Sequence, residues 1–409
     1  MRPFLLASLA AYGAILAVAL TRRNRFIAVF SAVILGIHTL NSTLLEPLLS
    51  AYGKPVEGLV WYSQFATYLY FSRLSRRYAP GAWYRTLVTW PASWFSAAVF
   101  LALPWAVTRA LGFSPWLPWL PFAVAGFGFA QSIFTRKERR SIVLDGVDAG
   151  PLGRHRQRLR GWLAKLQGGP APLRIVQITD PHLGPFMSEE RLRGICERAV
   201  EDAPDLILLT GDFLTFESQH SPDPLARALA PLSAMRGRVF ACFGNHDHEC
   251  PELVKEALTR ASVELLQDRA VEVELAWGKV QLVGADHRWQ GRNEALRALS
   301  LAYPRSPGVL RLWLLHDPGA FQAIPEGDAD LVFSGHTHGG HLGLLSLGLS
   351  STIVSAATSM PDHGLWARGR DRLYVHRGTG HYGFPLRVGV PAEESLLEVF
   401  VAQEAAAAE

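Results

Sequence analysis

The stretch Leu173-Arg-Ile-Val-Gln-Ile-Thr-Asp-Pro-His-Leu-Gly184 runs from an apolar segment straight into an aspartate, a histidine and a glycine. A short apolar run closed by turn residues reads as a buried strand, Leu173 to Thr179, and leaves Asp180 and His182 just past its carboxyl end. The same pattern recurs downstream. Leu206 to Thr210, Val239 to Phe243, Val280 to Val283, Leu310 to Leu315 and Leu331 to Phe333 read as further buried strands. Glu189 to Val200, Pro224 to Ala234, Pro251 to Ala261 and Asn293 to Leu301 read as helices between them. Strands alternating with helices of that length predict an α/β domain with helices covering a buried sheet, where ligands gather at the carboxyl ends of the strands.

Those ends are where ligand-type side chains fall. Asp180-Pro-His182 follows the first strand, Gly211-Asp212 the second, Gly244-Asn245-His246-Asp247 the third, His316 the fifth and Gly335-His336-Thr-His338 the sixth. Each alone has an ordinary reading as a turn aspartate, a capping asparagine or a satisfied histidine. Delivered together at one sheet edge, they predict a shared pocket. Carboxylate, amide and imidazole donors without thiolates suit Mn, Fe, Zn or Mg rather than a structural cysteine zinc site. Two such ions sharing one carboxylate activate water for in-line attack on phosphorus and neutralise charge on the phosphoryl oxygens.

The rest of the chain is of another kind. Of 409 residues, 49% are hydrophobic and 19% charged, too apolar on average for a wholly soluble protein. Residues 1–140 hold 14 Lys and Arg against three acids, a balance of +11, and the remainder 26 against 33, a balance of −7. The positive excess punctuates apolar runs, so nucleic-acid binding is not expected. Five apolar stretches, Phe4 to Leu20, Phe26 to about Leu45, Val56 to Ser72, about Leu87 to Val107 and Trp116 to Phe134, approach the length of a membrane crossing. Basic clusters at Arg22 to Arg25, Arg73 to Arg85 and Arg136 to Arg140 are each two crossings apart, which predicts a multi-pass inner-membrane protein with the rest of the chain on the cytoplasmic side. Only His38 and Glu46 bring ionisable groups near a span, which favours an anchor over a transport path. Cys196, Cys242 and Cys250 have no framework spacing, so no disulfides are expected.

The domain reading is therefore a helical membrane region of about five helices over 1–135, a basic linker over 136–172, an α/β domain over 173–402 and a short tail over 403–409 expected to be disordered. Within the linker, Arg154, Arg156, Arg158, Arg160 and Lys165 interleave with Leu152, Leu159, Trp162, Leu163 and Leu166, a pattern suited either to anionic headgroups or to an ordinary solvated connector.

As a set and in order, Asp180-x-His182, Gly211-Asp212, Gly244-Asn245-His246-Asp247, His316 and Gly335-His336-x-His338 resemble the signatures of the calcineurin-like metallophosphoesterase superfamily, over roughly Leu173 to Val401. The stretches Arg174 to Gly184 and Gly335 to Gly340, and the tail Arg377-Gly-Thr-Gly380 through Arg387 to Glu393, are similar to its bacterial membrane-associated branch, which includes a UDP-2,3-diacylglucosamine pyrophosphatase. Pro181 stands where that branch usually has Leu, and His341 where Gln is common. The resemblance implies a four-layer αββα sandwich of two sheets flanked by helices. It implies two divalent metal ions, Asp180, His182, Asp212 and His338 holding the first with Asp212 bridging, and Asn245, His316 and His336 completing the second. By the same resemblance His246 stabilises the phosphoryl oxygens or protonates the leaving oxygen, and Asp247 orients it. Arg377 and Arg387 are candidates to clamp a phosphate, and His341, His363 and His381 candidates to rim the pocket.

The expected activity is hydrolysis of a phosphodiester or pyrophosphate bond in a phosphorylated small molecule or lipid, such as UDP-2,3-diacylglucosamine, with no protein partner inferred. The competing expectation is a membrane sensor or transport-coupled protein whose metal domain only binds.

Overall fold

The computed structural model describes residues 3–21, 25–73, 81–157, 171–383 and 386–402. They form two compact units, the first comprising Met1–Ile133, Phe216–His220 and Gly383–Val388, the second the remainder.

The first unit is helical. Pro3–Thr21 and Val29–Ser50 are long and apolar enough to cross a membrane. The other expected spans differ from expectation for identifiable reasons. Lys54–Arg73 is a helix, but Ser63, Gln64 and Thr67 lie buried along it, and its composition falls short of a span's. The fourth stretch bends by 56° between Ala82–Leu101 and Leu103–Ala110. Pro104 has no N–H to give the preceding turn, and the bend falls there. The fifth, Leu120–Ile133, has 14 residues, about 21 Å at 1.5 Å per residue against a hydrocarbon core of about 30 Å. The helices are stitched by polar groups rather than by apolar packing alone. Gln64 donates to Ser8 Oγ at 3.1 Å and to Tyr68 Oη at 2.9 Å, and its Oε1 lies 3.0 Å from His38 Nε2.

The second unit holds two sheets. The first has the order β1-β13-β3-β4-β5-β6 and contains Thr135–Leu144, Ala392–Val401, Leu173–Ile178, Leu206–Leu209, Val239–Ala241 and Glu264–Leu265. The second has the order β2-β11-β12-β10-β9-β8-β7 and contains Gly153–Arg154, Gly364–Arg368, Asp371–Val375, Leu331–Ser334, Leu310–Leu314, Gly278–Gly284 and Arg269–Leu275. Strands β3 to β6 run parallel, as do β8, β9, β10 and β12.

Side-chain alternation along β4 shows how the layers arise. Leu206 and Leu208 point into the core between the sheets, with Ile175, Phe240, Leu312 and Phe333. Ile207 and Leu209 point the other way, against Leu192, Ile195, Leu225, Val254 and Leu258 of the covering helices Glu189–Glu201, Asp223–Leu229 and Pro251–Arg260. On the far side of the second sheet, Trp313, Val332 and Leu373 pack on Leu296 and Leu299 of Arg292–Ala302. Helix, sheet, sheet and helix make the four-layer mixed α/β sandwich, and each fully buried leucine contributes about 1.5–3 kcal/mol. The expected strands and helices are present, with Pro224 to Ala234 divided into the helix Asp223–Leu229 and a 3₁₀ segment, Ala230–Met235. All three cysteines are free.

The expected linker is corrected at its start. Thr135–Leu144 is strand β1, parallel to β13 from Thr135↔Ala392 to Leu144↔Val401, and Gly153–Arg154 is β2. The charges of β1 resemble a membrane-flanking basic cluster in sequence. In the fold they serve an edge strand: Arg139 pairs with Glu398 and Arg140 with Glu138. The basic amphipathic positions from Arg158 to Lys165, and the tail 403–409, lie outside the described residues.

This boundary is testable with two fragments. One beginning at Phe134 should give a cooperative thermal transition, whereas one beginning at Leu173, which lacks β1 and β2 and bares an edge of β13, should aggregate or melt without cooperativity.

Candidate metal centre

Three of the five ligand-bearing turns, those after β3, β4 and β10, leave their strands by the same backbone device. Asp180, His182, Asp212, His336 and His338 all have positive φ, at 49°, 44°, 59°, 68° and 50°. Such conformations cost on the order of 1–3 kcal/mol apiece and persist where surrounding bonds over-determine them. Here the turns bind one another. Asp180 N–H donates to Gly211 O at 3.0 Å, His182 N–H to Asp212 O at 3.2 Å, and Gly335 N–H to His316 O at 3.0 Å. His336 N–H bonds the Asp180 carboxylate at 3.1 Å, and His246 N–H bonds Asp212 Oδ1 at 2.9 Å. Two glycines let the turns close this far. A Cβ on Gly244 would strike the Asp212 carboxylate, and one on Gly335 would strike Asp180 and Thr179.

The turns assemble two groups. Asp180, His182 and His338 form one and Asp212, His316 and His336 the other, each with its donor atoms within 4.8 Å of one another. An Asp212 oxygen lies 3.7 Å from His182 Nε2 and 3.3 Å from His316 Nε2, so its carboxylate faces both. Asn245 Oδ1 joins the second group, 2.9 Å from His336 Nδ1 and 3.2 Å from His316 Nε2. His316 Nδ1 is 2.6 Å from Thr210 O, which fixes the proton on that nitrogen and turns Nε2 to the group.

These donors fit divalent ions. His182 Nε2 is buried and has no hydrogen-bond partner, and His336 Nδ1 and His316 Nε2 approach to 3.3 Å. Two imidazole nitrogens so placed repel unless a proton or a cation lies between them. Without the ion, the site balances its charge internally. Burial alone would neutralise His316, but the Asp212 carboxylate beside it holds the imidazole well above the usual histidine range. Burial would likewise raise Asp212, but His316 and His182 hold it well below the usual carboxylate range. Burial and then the Asp212 charge push Asp180 up to about 6. Burial lowers His182 to about 3, and burial with the His316 charge lowers His336 to about 4.

Other expected residues sit differently. His246 reaches the first group, its ring 5.5 Å from that of His182, but Asp247 does not orient it. The Asp247 carboxylate accepts backbone N–H bonds from Asp212, Phe213 and Gly244 at 2.8, 2.9 and 2.8 Å, which binds two of the turns together. The acid beside His246 is Glu249, whose Oε1 lies 2.8 Å from Nδ1. That signal was in the sequence, since residues three apart eclipse in a 3₁₀ turn such as His246–Glu249. Arg377 is not a phosphate clamp: it is 5% exposed and engaged by Glu138, Glu393 and the Pro391 carbonyl. Arg387 is fully buried, and its segment, Gly383–Val388, clusters with the helical unit. His341 lies 5.0 Å from His338 by ring centroid, and His381 packs on Phe186, whereas His363 belongs to a separate cluster with Arg154 and Asp362. Tyr382, absent from the sequence expectations, stacks on His246.

Two measurements follow from this geometry. Gly244→Ala and Gly335→Ala should each weaken divalent-metal binding by about 10–100-fold with the fold retained, read by calorimetry and circular dichroism. His316 is raised and therefore protonated at pH 7, and a metal needs its lone pair, so loading should release a proton. Calorimetry in buffers of different ionisation enthalpy should report that release, and metal affinity should fall as pH is lowered.

Comparison with known proteins agrees with the residues. The calcineurin-like phosphoesterase family model matches residues 173–340. The chain is 30% identical over 246 residues to "Phosphodiesterase YaeI" of Escherichia coli, covering 59% of this chain and 87% of that protein. It is 29% identical over 222 residues to "Uncharacterized metallophosphoesterase YkuE" of Bacillus subtilis, covering 52% and 74%. It is 26% identical over 263 residues to "UDP-2,3-diacylglucosamine pyrophosphatase LpxG" of Chlamydia muridarum, covering 51% and 78%. With strand-end carboxylates and imidazoles gathered as that family requires, the chain belongs to the calcineurin-like phosphoesterases and is a phosphoester hydrolase.

Proposed function

We propose that the protein is a membrane-anchored hydrolase that uses two divalent metal ions to cleave a phosphodiester or pyrophosphate bond, with a lipid-linked substrate such as UDP-2,3-diacylglucosamine its specific form. The observation that carries the two-ion reading is the Asp212 carboxylate, which belongs to the second donor group with His316 at 3.3 Å and also faces His182 of the first at 3.7 Å. In this reading Asp180, His182 and His338 hold one ion, Asn245, His316 and His336 the other, and Asp212 serves both. Bound there, the ions supply Lewis acidity and neutralise charge on the phosphoryl oxygens. The chain's own groups do the rest. Thr210 O keeps the His316 proton on Nδ1, so Nε2 stays a ligand atom. Asp247 holds the Asp212 and Gly244 turns at a fixed separation through three amide bonds. His246, with Nδ1 engaged by Glu249, keeps Nε2 for a phosphoryl oxygen or for protonating the leaving oxygen.

Support for a lipid substrate is physical. Two helices have the length and composition of membrane spans, and a site tethered beside a bilayer meets an amphiphile at raised effective concentration. A relative named as a UDP-2,3-diacylglucosamine pyrophosphatase acts on such an amphiphile. The multi-pass topology, with the catalytic unit on the cytoplasmic face of an inner membrane, belongs to the same proposal.

Detergent-purified full-length protein with Mn should cleave a UDP-linked diacyl sugar in preference to bis(p-nitrophenyl) phosphate, and Asp212→Ala should lose at least about 100-fold in rate on both. Cleavage of the diester alone would sink the lipid reading. Cleavage of neither, with metal bound, would favour the membrane sensor.

A further inference from the structure

His246 is gripped from two directions. On one side, Glu249 Oε1 lies 2.8 Å from Nδ1. On the other, the Tyr382 ring stacks on the imidazole, with centroids 4.2 Å apart and planes 29° apart, and its centroid is 5.0 Å from that of His182.

The tyrosine is seated by the turn it serves. Beyond β12, Thr379 N–H donates to Thr179 O at 2.8 Å and Gly380 N–H to Asp180 O at 3.0 Å. The loop is therefore hydrogen-bonded to the Asp180 turn two residues before Tyr382. The ring is 38% exposed, so it lies against His182 and His246 on one side and is open to solvent on another.

An imidazole free to turn about its side-chain bonds presents Nε2 in many directions. A carboxylate on Nδ1 selects one tautomer and restricts rotation about the ring axis, and a stacked ring restricts tilt. We propose that Tyr382 and Glu249 are the positioning residues of this centre, together holding the His246 imidazole so that Nε2 is presented to the phosphoryl group of the substrate. The inference rests on the hydrolase reading of the site. It departs from the role first given to Asp247, whose carboxylate is occupied by backbone amides.

The test uses full-length protein loaded with Mn and the variants Tyr382→Ala, Tyr382→Phe, Glu249→Ala and Glu249→Gln. Bound metal and thermal midpoint are measured alongside kcat and KM on bis(p-nitrophenyl) phosphate and the Kd for inorganic phosphate. Tyr382→Ala and Glu249→Ala should lower kcat by about 10–100-fold and weaken phosphate by about tenfold, with KM, metal content and midpoint little changed. Tyr382→Phe keeps the ring and Glu249→Gln keeps an acceptor, so both should recover most of the rate. A kcat for Tyr382→Ala equal to that of the parent would overturn the inference, as would a loss shared equally by Tyr382→Phe or one that tracks metal content. If the parent protein turns over no ester, the hydrolase reading fails separately. The phosphate affinities then decide, and equal binding by the parent and Tyr382→Ala would remove the positioning role.

Discussion

The centre depends on the bonds between its turns. Five residues that carry donor atoms sit in the left-handed region of backbone space, which no single turn would hold by itself. What holds them is reciprocal: the Asp180 amide on Gly211, the His182 amide on Asp212, the His336 amide on the Asp180 carboxylate, and three amides on Asp247. Asp247 is fully enclosed, and burial followed by the Asp212 charge pushes its carboxyl up to about 7 despite the amides. A side chain whose ionised form is this poorly solvated, yet which ties two ligand turns together, is part of the frame of the site rather than of its chemistry.

From that frame the electrostatics follow. Two carboxylates and four imidazoles packed out of water cannot all keep their ordinary protonation states. The imidazoles around Asp212 hold its carboxyl low, and the Asp212 charge facing His316 holds that imidazole high. A cation entering between them replaces a proton, so the protein is arranged around a positive charge before any ion arrives.

Much of this was legible in the sequence because strand ends are. Asp180, His182, Asp212, Asn245, His316, His336 and His338 each follow an apolar run, but the first four leave strands of one sheet and the last three strands of the other, so it is the packing of two sheets rather than the single sheet edge expected from the sequence that brings them together. What was not legible depended on distant partners. Two of the three backbone amides that occupy Asp247 come from a turn 34 and 35 residues away. Arg377 was a plausible phosphate ligand until Glu138, 239 positions earlier, took its guanidinium. Tyr382 follows Gly380, and only the bond from Gly380 to the Asp180 turn reveals where its ring goes. The charges of β1 misled for a related reason, because an edge strand and a membrane flank both tolerate cations. Apolar composition alone does not report the bend beside Pro104.

The place of β13 carries a consequence for how the protein is made. It lies between β1 and β3, so the first sheet is divided until residues 392–401 are present. At about 5–20 residues per second, the ribosome needs roughly 13–50 s to travel from β1 to its partner. Through that interval β1 and the outer edge of β3 are unpaired, and closing them means joining segments very far apart in sequence, the slowest kind of contact to form. The apolar helices are synthesised well before this moment. The apolar helices are therefore expected to be complete while the first sheet is still open, and that sheet closes only when β13 pairs with β1 and β3.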